Sequence, residues 1–361
     1  MSDRFDLAIW LESDELPHTD QRGDRGDSRA AEASGIQVHP SFWESFKYKF
    51  LSNEDSRAFD TSGIQVHLNF WKLPKYKSLD IGINFPTITK GKICLFIKTQ
   101  KSLHVTDISK SFEISETRNV VFNEFMTANG CPEECMCWKT KQRSNPESVP
   151  FCICGIEKTI ETTEKYGGKL VYVWLSNPAC NKYNCECHQE YIRLRLTGEA
   201  IDSLYNQEQI PNSKLEYYTS KIEFLDFRLN NVRSLPTSFL QDIKSFPILN
   251  KVRCFLMLEA SEELFLYNKS YKKVRAIEKD RWISYLDKLK PYENDPKKAI
   301  LAYQWNSDQD TPDFSLFTEI KVNSFSWKTF FLYLFFFVFI GLIPSFIASW
   351  LYESFKILIG E

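Results

Sequence analysis

Most of the sequence patterns that identify an enzyme are missing from this chain of 361 residues. It contains no G-x-x-x-x-G-K-[ST] phosphate loop, no H-E-x-x-H zinc-protease pattern and no G-x-S-x-G nucleophile turn. The five histidines offer few bases for a nucleophile. Cys94 with His104 is a conceivable thiol pair, although "GKICLFIK" resembles a buried strand whose cysteine packs and does not react. These absences favour a binding or interaction protein over an enzyme.

The chain also lacks a strong net charge, since 45 Lys and Arg face 47 Asp and Glu. No chain-wide positive field is therefore available to attract phosphate backbones. Basic and acidic residues are also balanced within the cysteine-rich region 131–188. General nucleic-acid binding is not expected.

A secretory signal is missing as well, because "MSDRFDLAIWLESDELPH" has neither a basic start nor an uninterrupted apolar core. The long apolar run comes late instead. "FFLYLFFFVFIGLIPSFIASWL" starts at Phe330, and no charge occurs between Lys328 and Glu353. As a helix it would cover roughly 30 Å, the thickness of a bilayer core. Trp327 and Trp350 bracket it at the positions that interfacial aromatics prefer.

We therefore predict one C-terminal transmembrane helix at 327–352, inserted in a lipid bilayer and followed by a short tail at 353–361. The missing signal predicts a cytoplasmic N-terminal body and an outside tail, that is, a tail-anchored protein. Gly341, Ser345 and Ser349 recur every four residues, a spacing that places small side chains on one helical face. This face predicts self-association, and Pro344 predicts a bend.

The N-terminal part divides into two predicted segments. Residues 1–33 are polar and acidic, which predicts disorder. In 34–77 the pieces "SGIQVH", "FW" and "KYK" recur at a spacing of 28 residues, which indicates one tandem duplication. The duplicated His39 and His67 could bind a metal, but the duplication alone explains the match. A strand with docking aromatics is the preferred interpretation of each copy.

Residues 78–307 are predicted to form an α+β body that is largely antiparallel and rich in β-strands, with helices toward its C-terminus. The strand segments are "LDIGINF", "KICLFIK", "NVVFNEF", "KLVYVWL" and "YIRLRLT". In the last of these, Ile192, Leu194 and Leu196 alternate with Arg193 and Arg195, which predicts a half-solvated strand. "GEAIDSLYNQ", "SFLQDIKSF" and "RAIEKDRWISYLDKLK" predict helices. Residues 308–326 are predicted to be a polar connector.

Eight of the ten cysteines cluster in 131–188, in turns and C-x-C pairs that can gather several sulfurs. Three interpretations remain open: one or two zinc ions, reduced thiols buried in strands, or disulfides in an exported domain. Zinc is favoured in a reducing cytosol, with His188 as a further candidate ligand. The candidate metal ligands are Cys131, Cys135, Cys137, Cys152, Cys154, Cys180, Cys185, Cys187 and His188.

Together these features predict a single-pass membrane protein whose cytosolic body is an interaction or sensor module. The protein is expected to bind a protein partner or to form a homo-oligomer. The alternative is a membrane-tethered enzyme, a hydrolase or a thiol-dependent catalyst, whose active site the sequence does not reveal.

Overall fold

A computed structural model describes residues 5–13, 64–73, 76–86, 90–122, 126–128, 137–140, 151–153, 159–176, 189–208, 220–243, 246–286, 299–307, 310–323 and 327–359. The strands are β1 (Phe5–Ser13), β2 (Ile64–Leu73), β3 (Tyr76–Pro86), β4 (Lys90–Ile97), β5 (His104–Asp107), β6 (Met126–Ala128), β7 (Cys137–Thr140), β8 (Phe151–Ile153), β9 (Thr159–Lys165), β10 (Gly168–Ser176), β11 (Gln189–Thr197), β12 (Tyr205–Glu208), β13 (Ser220–Leu229), β14 (Leu249–Glu259), β15 (Glu262–Tyr267), β16 (Lys273–Ala276), β17 (Ile300–Asn306) and β18 (Phe314–Asn323). The helices are α1 (Ser115–Phe122), α2 (Glu199–Asp202), α3 (Thr237–Asp242), α4 (Lys279–Leu286) and α5 (Trp327–Ile359), with a 3-10 turn at Ser109–Glu113.

The strands form two sheets. Sheet A has the order β15-β18-β13-β1-β4-β10-β9, with β12 also paired to β13. Sheet B has the order β16-β17-β14-β2-β3-β11-β8-β7-β6, with β5 also paired to β11. The pairs β1–β13, β2–β14 and β8–β11 run parallel. The body is thus strand-rich as predicted, but its sheets are mixed and not uniformly antiparallel.

The main core lies between the two sheets. Alternate residues of each central strand point inward, as with Leu7 and Ile9 of β1 and Val66 and Leu68 of β2, all fully buried. Ile192, Leu194 and Leu196 join this core, as their alternation predicts. Near the end of β2, the Lys72 ammonium lies 2.5 Å from Glu262 and 3.3 Å from Glu223, which are on sheet A strands.

Each sheet also packs apolar side chains on its outer face. On sheet A, Phe239 of α3 contacts Trp10 and Phe96, with ring centroids 5.4 and 4.3 Å away. On sheet B, α1, α4 and the 3-10 turn pack over Trp71 and Tyr191.

Several segments differ from their sequence predictions. Phe5–Ser13 is not disordered but forms β1 in the middle of sheet A, because its alternating apolar side chains complete the core. "NVVFNEF" is not a strand; its first half ends helix α1, whose first turn contains Glu116 and whose Phe122 is buried. The predicted connector contains β18, which pairs with β13 and β15. The second copy of the duplication forms β2, while the first copy, with His39, lies outside the described residues.

The predicted apolar C-terminal helix is confirmed. Helix α5 has 33 residues and continues through Pro344 into the predicted tail. Within the described part of the chain it is the one helix long and apolar enough to cross a membrane, over Phe330–Tyr352. The most apolar stretch of this segment is unburied by the body, which is consistent with membrane anchoring. Gly341, Ser345 and Ser349 are exposed along it, and the Ser345 hydroxyl donates to the Gly341 carbonyl at 3.3 Å.

Candidate functional site: a basic cavity on sheet B

Five strands of sheet B place one residue each in a single row across its outer face. Arg253 of β14 is in register with Asn306 on one side and with His67 of β2 on the other. His67 is in register with Gly82 of β3, which is in register with Arg193 of β11. Because side chains in register on one face are neighbours, the row brings polar groups from distant parts of the chain together.

The next row contains a carboxylate, that of Asp80, which is fully buried. Arg195 donates to both of its oxygens, from Nε at 2.7 Å and from Nη2 at 2.9 Å. Trp71 Nε1 donates to it at 2.8 Å, and the Tyr285 hydroxyl also donates to it. Burial alone would raise the pKa of Asp80, but the charge and hydrogen bonds of Arg195 hold that pKa below its usual value. Asp80 is therefore an ionised anchor between two arginines.

Arg193 is equally buried but has different partners. Its Nε donates to the Tyr285 hydroxyl and its Nη1 donates to the Tyr191 hydroxyl, both at 2.9 Å. When the Asn69 amide is oriented so that its oxygen and nitrogen are both satisfied, that oxygen accepts from Arg193 Nη2 at 2.6 Å. All three partners are neutral. Within this network, Asp80 and the two buried arginines together have one positive charge in excess.

Gly82 makes room for this arrangement. A Cβ at this position would collide with the Tyr191 ring, whose Cζ would be 2.7 Å away, and with the Tyr191 hydroxyl. The Tyr191 phenol therefore lies across the β3 backbone, where its oxygen accepts from Arg193. The glycine in "LDIGINF" positions the arginine.

A cavity of about 450 Å³ opens beside these residues. Its cations come from three strands: Arg193 from β11, Arg253 from β14, and Lys273 and Arg275 from the edge strand β16. Among the described residues that line it there is no carboxylate. Its polar wall includes Asn69, Gln304 and Asn306, and its apolar wall includes Val121, Phe122 and Phe255. The volume falls within the range of small-molecule sites, roughly 300–1,000 Å³.

His67 lies in this cavity as a neutral imidazole. It is only 8% exposed, and its Nε2 is buried without a hydrogen-bond partner in the described structure. Burial, followed by the charges of Arg253, Arg193 and Lys251, holds the pKa of His67 well below its ordinary value. A buried, unpaired nitrogen is costly to a folded protein unless a ligand or solvent satisfies it.

One wall of the cavity is supported by the cysteine-rich region. Strands β7 and β8 place Cys137 directly opposite Cys152, and a disulfide joins them across a Cα separation of 4.3 Å. The neighbouring Trp138 lies under the Arg118 guanidinium of α1, with 3.3 Å from carbon to ring centroid. Arg118 also donates to the carbonyls of Phe112 and Glu113. Helix α1 thus fixes Val121 and Phe122 at the cavity.

The other candidate metal ligands are Cys131, Cys135, Cys154, Cys180, Cys185, Cys187 and His188, and they lie outside the described residues. Within the ranges that the structure describes, no group of three or more His, Cys, Asp or Glu is placed to hold a metal ion. Cys137 and Cys152 are joined to each other and are not thiolate ligands in this arrangement. Zinc stays a prediction for the remaining cysteines.

The conceivable thiol pair of Cys94 and His104 is not formed. Cys94 lies in β4 of sheet A, whereas His104 is an exposed residue of β5 in sheet B. Burial raises the pKa of the Cys94 thiol, so the thiol stays in its unreactive neutral form.

The sequence prediction for β11 was right about alternation and wrong about solvation. Arg193 and Arg195 face away from the core as predicted, but Arg193 is fully buried and Arg195 is 4% exposed. The signal that could have indicated this is Asp80, a lone acid in the apolar strand "LDIGINF", which needs a buried cation. A scan against known protein families and a search of curated proteins found no match for this chain.

Proposed function

We propose that the protein is a membrane-anchored sensor or interaction module that binds a small anionic ligand in the basic cavity of sheet B. The main support is that four cationic side chains from three strands line one cavity without a carboxylate among its described lining. Cations that are grouped in a recess, partly shielded from water, attract anions more strongly than the same charges on an open surface.

The ligand is proposed to be small. The cavity is a recess bounded by α1 and the edge strand β16, and its neutral amides and apolar walls resemble the lining of a small-molecule site. The overall charge of −2 gives no reason to expect an extended nucleic-acid partner. The described lining also offers no thiol, hydroxyl or carboxylate nucleophile, so binding is favoured over the alternative of a tethered hydrolase.

The anchor is proposed to be α5, with the body in the cytoplasm and the tail outside. Its apolar segment Phe330–Tyr352 has the length for one crossing. An impermeant thiol reagent added to intact cells should leave the body unlabelled until the membrane is breached. Labelling from outside would reverse the proposed orientation.

Self-association through Gly341, Ser345 and Ser349 is the proposed route from binding to signalling. Among the described residues nothing lies within 4 Å of a Cβ built at Gly341, so a second helix could approach closely there. Replacing Gly341 and Ser345 by leucine should weaken crosslinked oligomers without preventing insertion. Unchanged crosslinking would reduce α5 to a tether.

The binding proposal can be tested with tripolyphosphate as the probe. Full-length protein in phosphatidylcholine nanodiscs should bind it in a calorimeter, with affinity that falls as salt rises. Arg275→Gln should weaken binding about three- to tenfold, because one charge-assisted contact is lost. Arg253→Gln should weaken it further.

Arg233→Gln is the matched control, since Arg233 is another exposed arginine and does not line the cavity. It should bind like the wild type. Absence of binding to the wild type, or an equal loss in Arg233→Gln, would contradict the proposal.

A further inference from the structure

We infer that the ligand of the basic cavity is a nucleotide with at least two phosphate groups. This inference rests on the proposed anion-binding function and adds the chemical class of the ligand. It follows from three features of the cavity: the spread of its cations, its aromatic wall, and its paired amides.

The cations are too widely spread for a single phosphate ion. Arg193 is on β11, and Lys273 and Arg275 are on β16, five strand spacings away along sheet B. At about 4.8 Å per spacing, their backbones are roughly 24 Å apart. Long arginine and lysine side chains shorten this distance but do not close it onto one group. A ligand that neutralises both the buried charge of Arg193 and the exposed rim of Lys273 and Arg275 must hold several negative charges along its length.

The inner end of the cavity suits one of those charges. In the row of register, Arg253 is next to His67 on one side, and Arg193 follows beyond Gly82 on the other side. His67 and Arg193 are buried and Arg253 is half-buried, and the His67 Nε2 has no hydrogen-bond partner in the described structure. A phosphate oxygen there would receive charge-assisted hydrogen bonds and supply the partner that His67 lacks. Phosphate with bidentate arginine is a recurrent pairing, and a rim of Lys273 and Arg275 can hold further phosphates.

The aromatic wall distinguishes a nucleotide from an inorganic polyphosphate. Phe122 packs edge-on to His67, with ring centroids 6.0 Å apart. Phe255 lies in register with Asn69, which is two residues after His67 on β2. Both rings line the cavity beside Val121. A polyphosphate would leave the half-buried Phe255 in contact with water, whereas a nucleobase can stack on its ring.

The amides supply the third feature. Gln304 of β17 donates from Nε2 to Asn306 Oδ1 at 2.9 Å, and both residues line the cavity next to Phe255. Carboxamides contain both donors and acceptors, as do the edges of nucleobases, while phosphate oxygens accept only. An amide pair next to an aromatic ring and a row of cations therefore matches a molecule with a base at one end and phosphates at the other.

The test compares nucleoside triphosphates with phosphate compounds that have no base. Full-length protein in phosphatidylcholine nanodiscs, without divalent cations, is titrated with ATP, GTP, CTP, UTP, tripolyphosphate and inositol hexakisphosphate. At least one nucleoside triphosphate should bind about tenfold or more tightly than tripolyphosphate, because base stacking adds to the phosphate contacts.

A variant in the aromatic wall gives the second arm. Phe255→Leu should reduce that tenfold preference to less than about threefold, because the base loses the ring on which it stacks. Phe255→Tyr retains a ring and should retain the preference. Phe317→Leu is the matched control, a half-buried strand phenylalanine that does not line the cavity, and should change neither affinity.

The outcomes separate this inference from the proposed function. Equal affinity for tripolyphosphate and all four nucleotides would overturn the nucleotide inference and leave anion binding intact. Tightest binding of inositol hexakisphosphate would overturn it in favour of a polyphosphorylated headgroup. If no anion binds, both the inference and the proposed function are wrong.

Discussion

The two outer faces of the sandwich handle charge in different ways. On the outer face of sheet A, acids and cations form one-to-one pairs. Asp226 lies 3.0 Å from Arg228, and Glu12 lies 2.8 Å from Lys92. On sheet B, one buried carboxylate faces two buried arginines, and the adjoining cavity adds Arg253 and the cations of β16. Balanced charge on one face suits packing and solubility, whereas an excess of one sign in a recess suits binding.

The largest effect is expected from removing Asp80, the carboxylate to which Arg195, Trp71 and Tyr285 donate. Asp80→Asn would remove the carboxylate to which Arg195 donates, and it would remove the negative charge near the buried Arg193, whose described hydrogen-bond partners are neutral. Breaking a buried pair in this way costs about 3–5 kcal/mol of unfolding free energy. Denaturant unfolding of the detergent-solubilised protein would measure it.

Asp226→Asn is the control on sheet A, where the Asp226–Arg228 pair is only partly buried. It should cost less than about 1 kcal/mol, as solvent-screened pairs do. Similar losses in the two variants would mean that the two faces do not differ in the way described.

A second effect concerns the support of the cavity wall. The Cys137–Cys152 bridge closes a loop of 15 residues, for which a contribution of about 3 kcal/mol is typical. Reduction should weaken the wild type and loosen the contact between Trp138 and Arg118, which would lower the affinity of the cavity for tripolyphosphate. A Cys137→Ala, Cys152→Ala double variant should be insensitive to reductant.

Cys94→Ala removes a buried thiol from sheet A and should remain as sensitive to reductant as the wild type. Protein isolated with bound metal and with free thiols at both Cys137 and Cys152 would contradict the disulfide and favour the zinc prediction instead. Either result also bears on the proposed cytoplasmic orientation, since stable disulfides are rare in reducing compartments.

The sequence predicts local features of this molecule better than long-range ones. Alternation in "YIRLRLT" and the uninterrupted apolar run at 330–351 depend on neighbouring residues, and both patterns agree with the structure. The parallel pairing of β1 with β13 joins residues more than 200 positions apart, and no periodicity along β1 encodes that partner. The local pattern of "FDLAIWLES" therefore does not reveal that this segment pairs with β13 and β4 in the middle of a sheet.

The cavity was hidden for the same reason. Arg193, His67 and Arg253 are each unremarkable in sequence, and only the register of β11, β3, β2 and β14 places them in one row. The duplication of His39 at His67 makes a metal-binding role conceivable from the sequence. Its actual neighbours are cations and aromatic rings, which disfavour a bound cation.

The smallest expected effect is a pH dependence from His67. The unfolded chain binds a proton near pH 6.5, whereas in the folded protein the pKa of His67 is well below that value. As pH falls below about 6.5, the unfolded state gains a proton that the folded state does not, so stability falls by up to about 1.4 kcal/mol per pH unit. Comparing denaturant unfolding of the wild type and His67→Asn between pH 7 and pH 5 isolates this contribution.

Sheet A offers a contrast of opposite sign. Burial raises the pKa of Asp6 above 3.8, so Asp6 contributes stability at low pH that is lost as pH rises through its folded pKa. Asp6→Asn should therefore change the dependence of the unfolding free energy on pH in the direction opposite to that of His67→Asn. The polar groups that face His67 are Arg253 and Lys251 of β14 and Arg193 and Tyr191 of β11. A bound polyanion would offset the positive charges of the two arginines and the lysine. Saturating tripolyphosphate should then flatten the His67-dependent loss of stability and bind more tightly at pH 5.5 than at pH 7.5. A His67→Asn variant with the same pH profile and the same ligand response as the wild type would show that the imidazole is not part of the anion site.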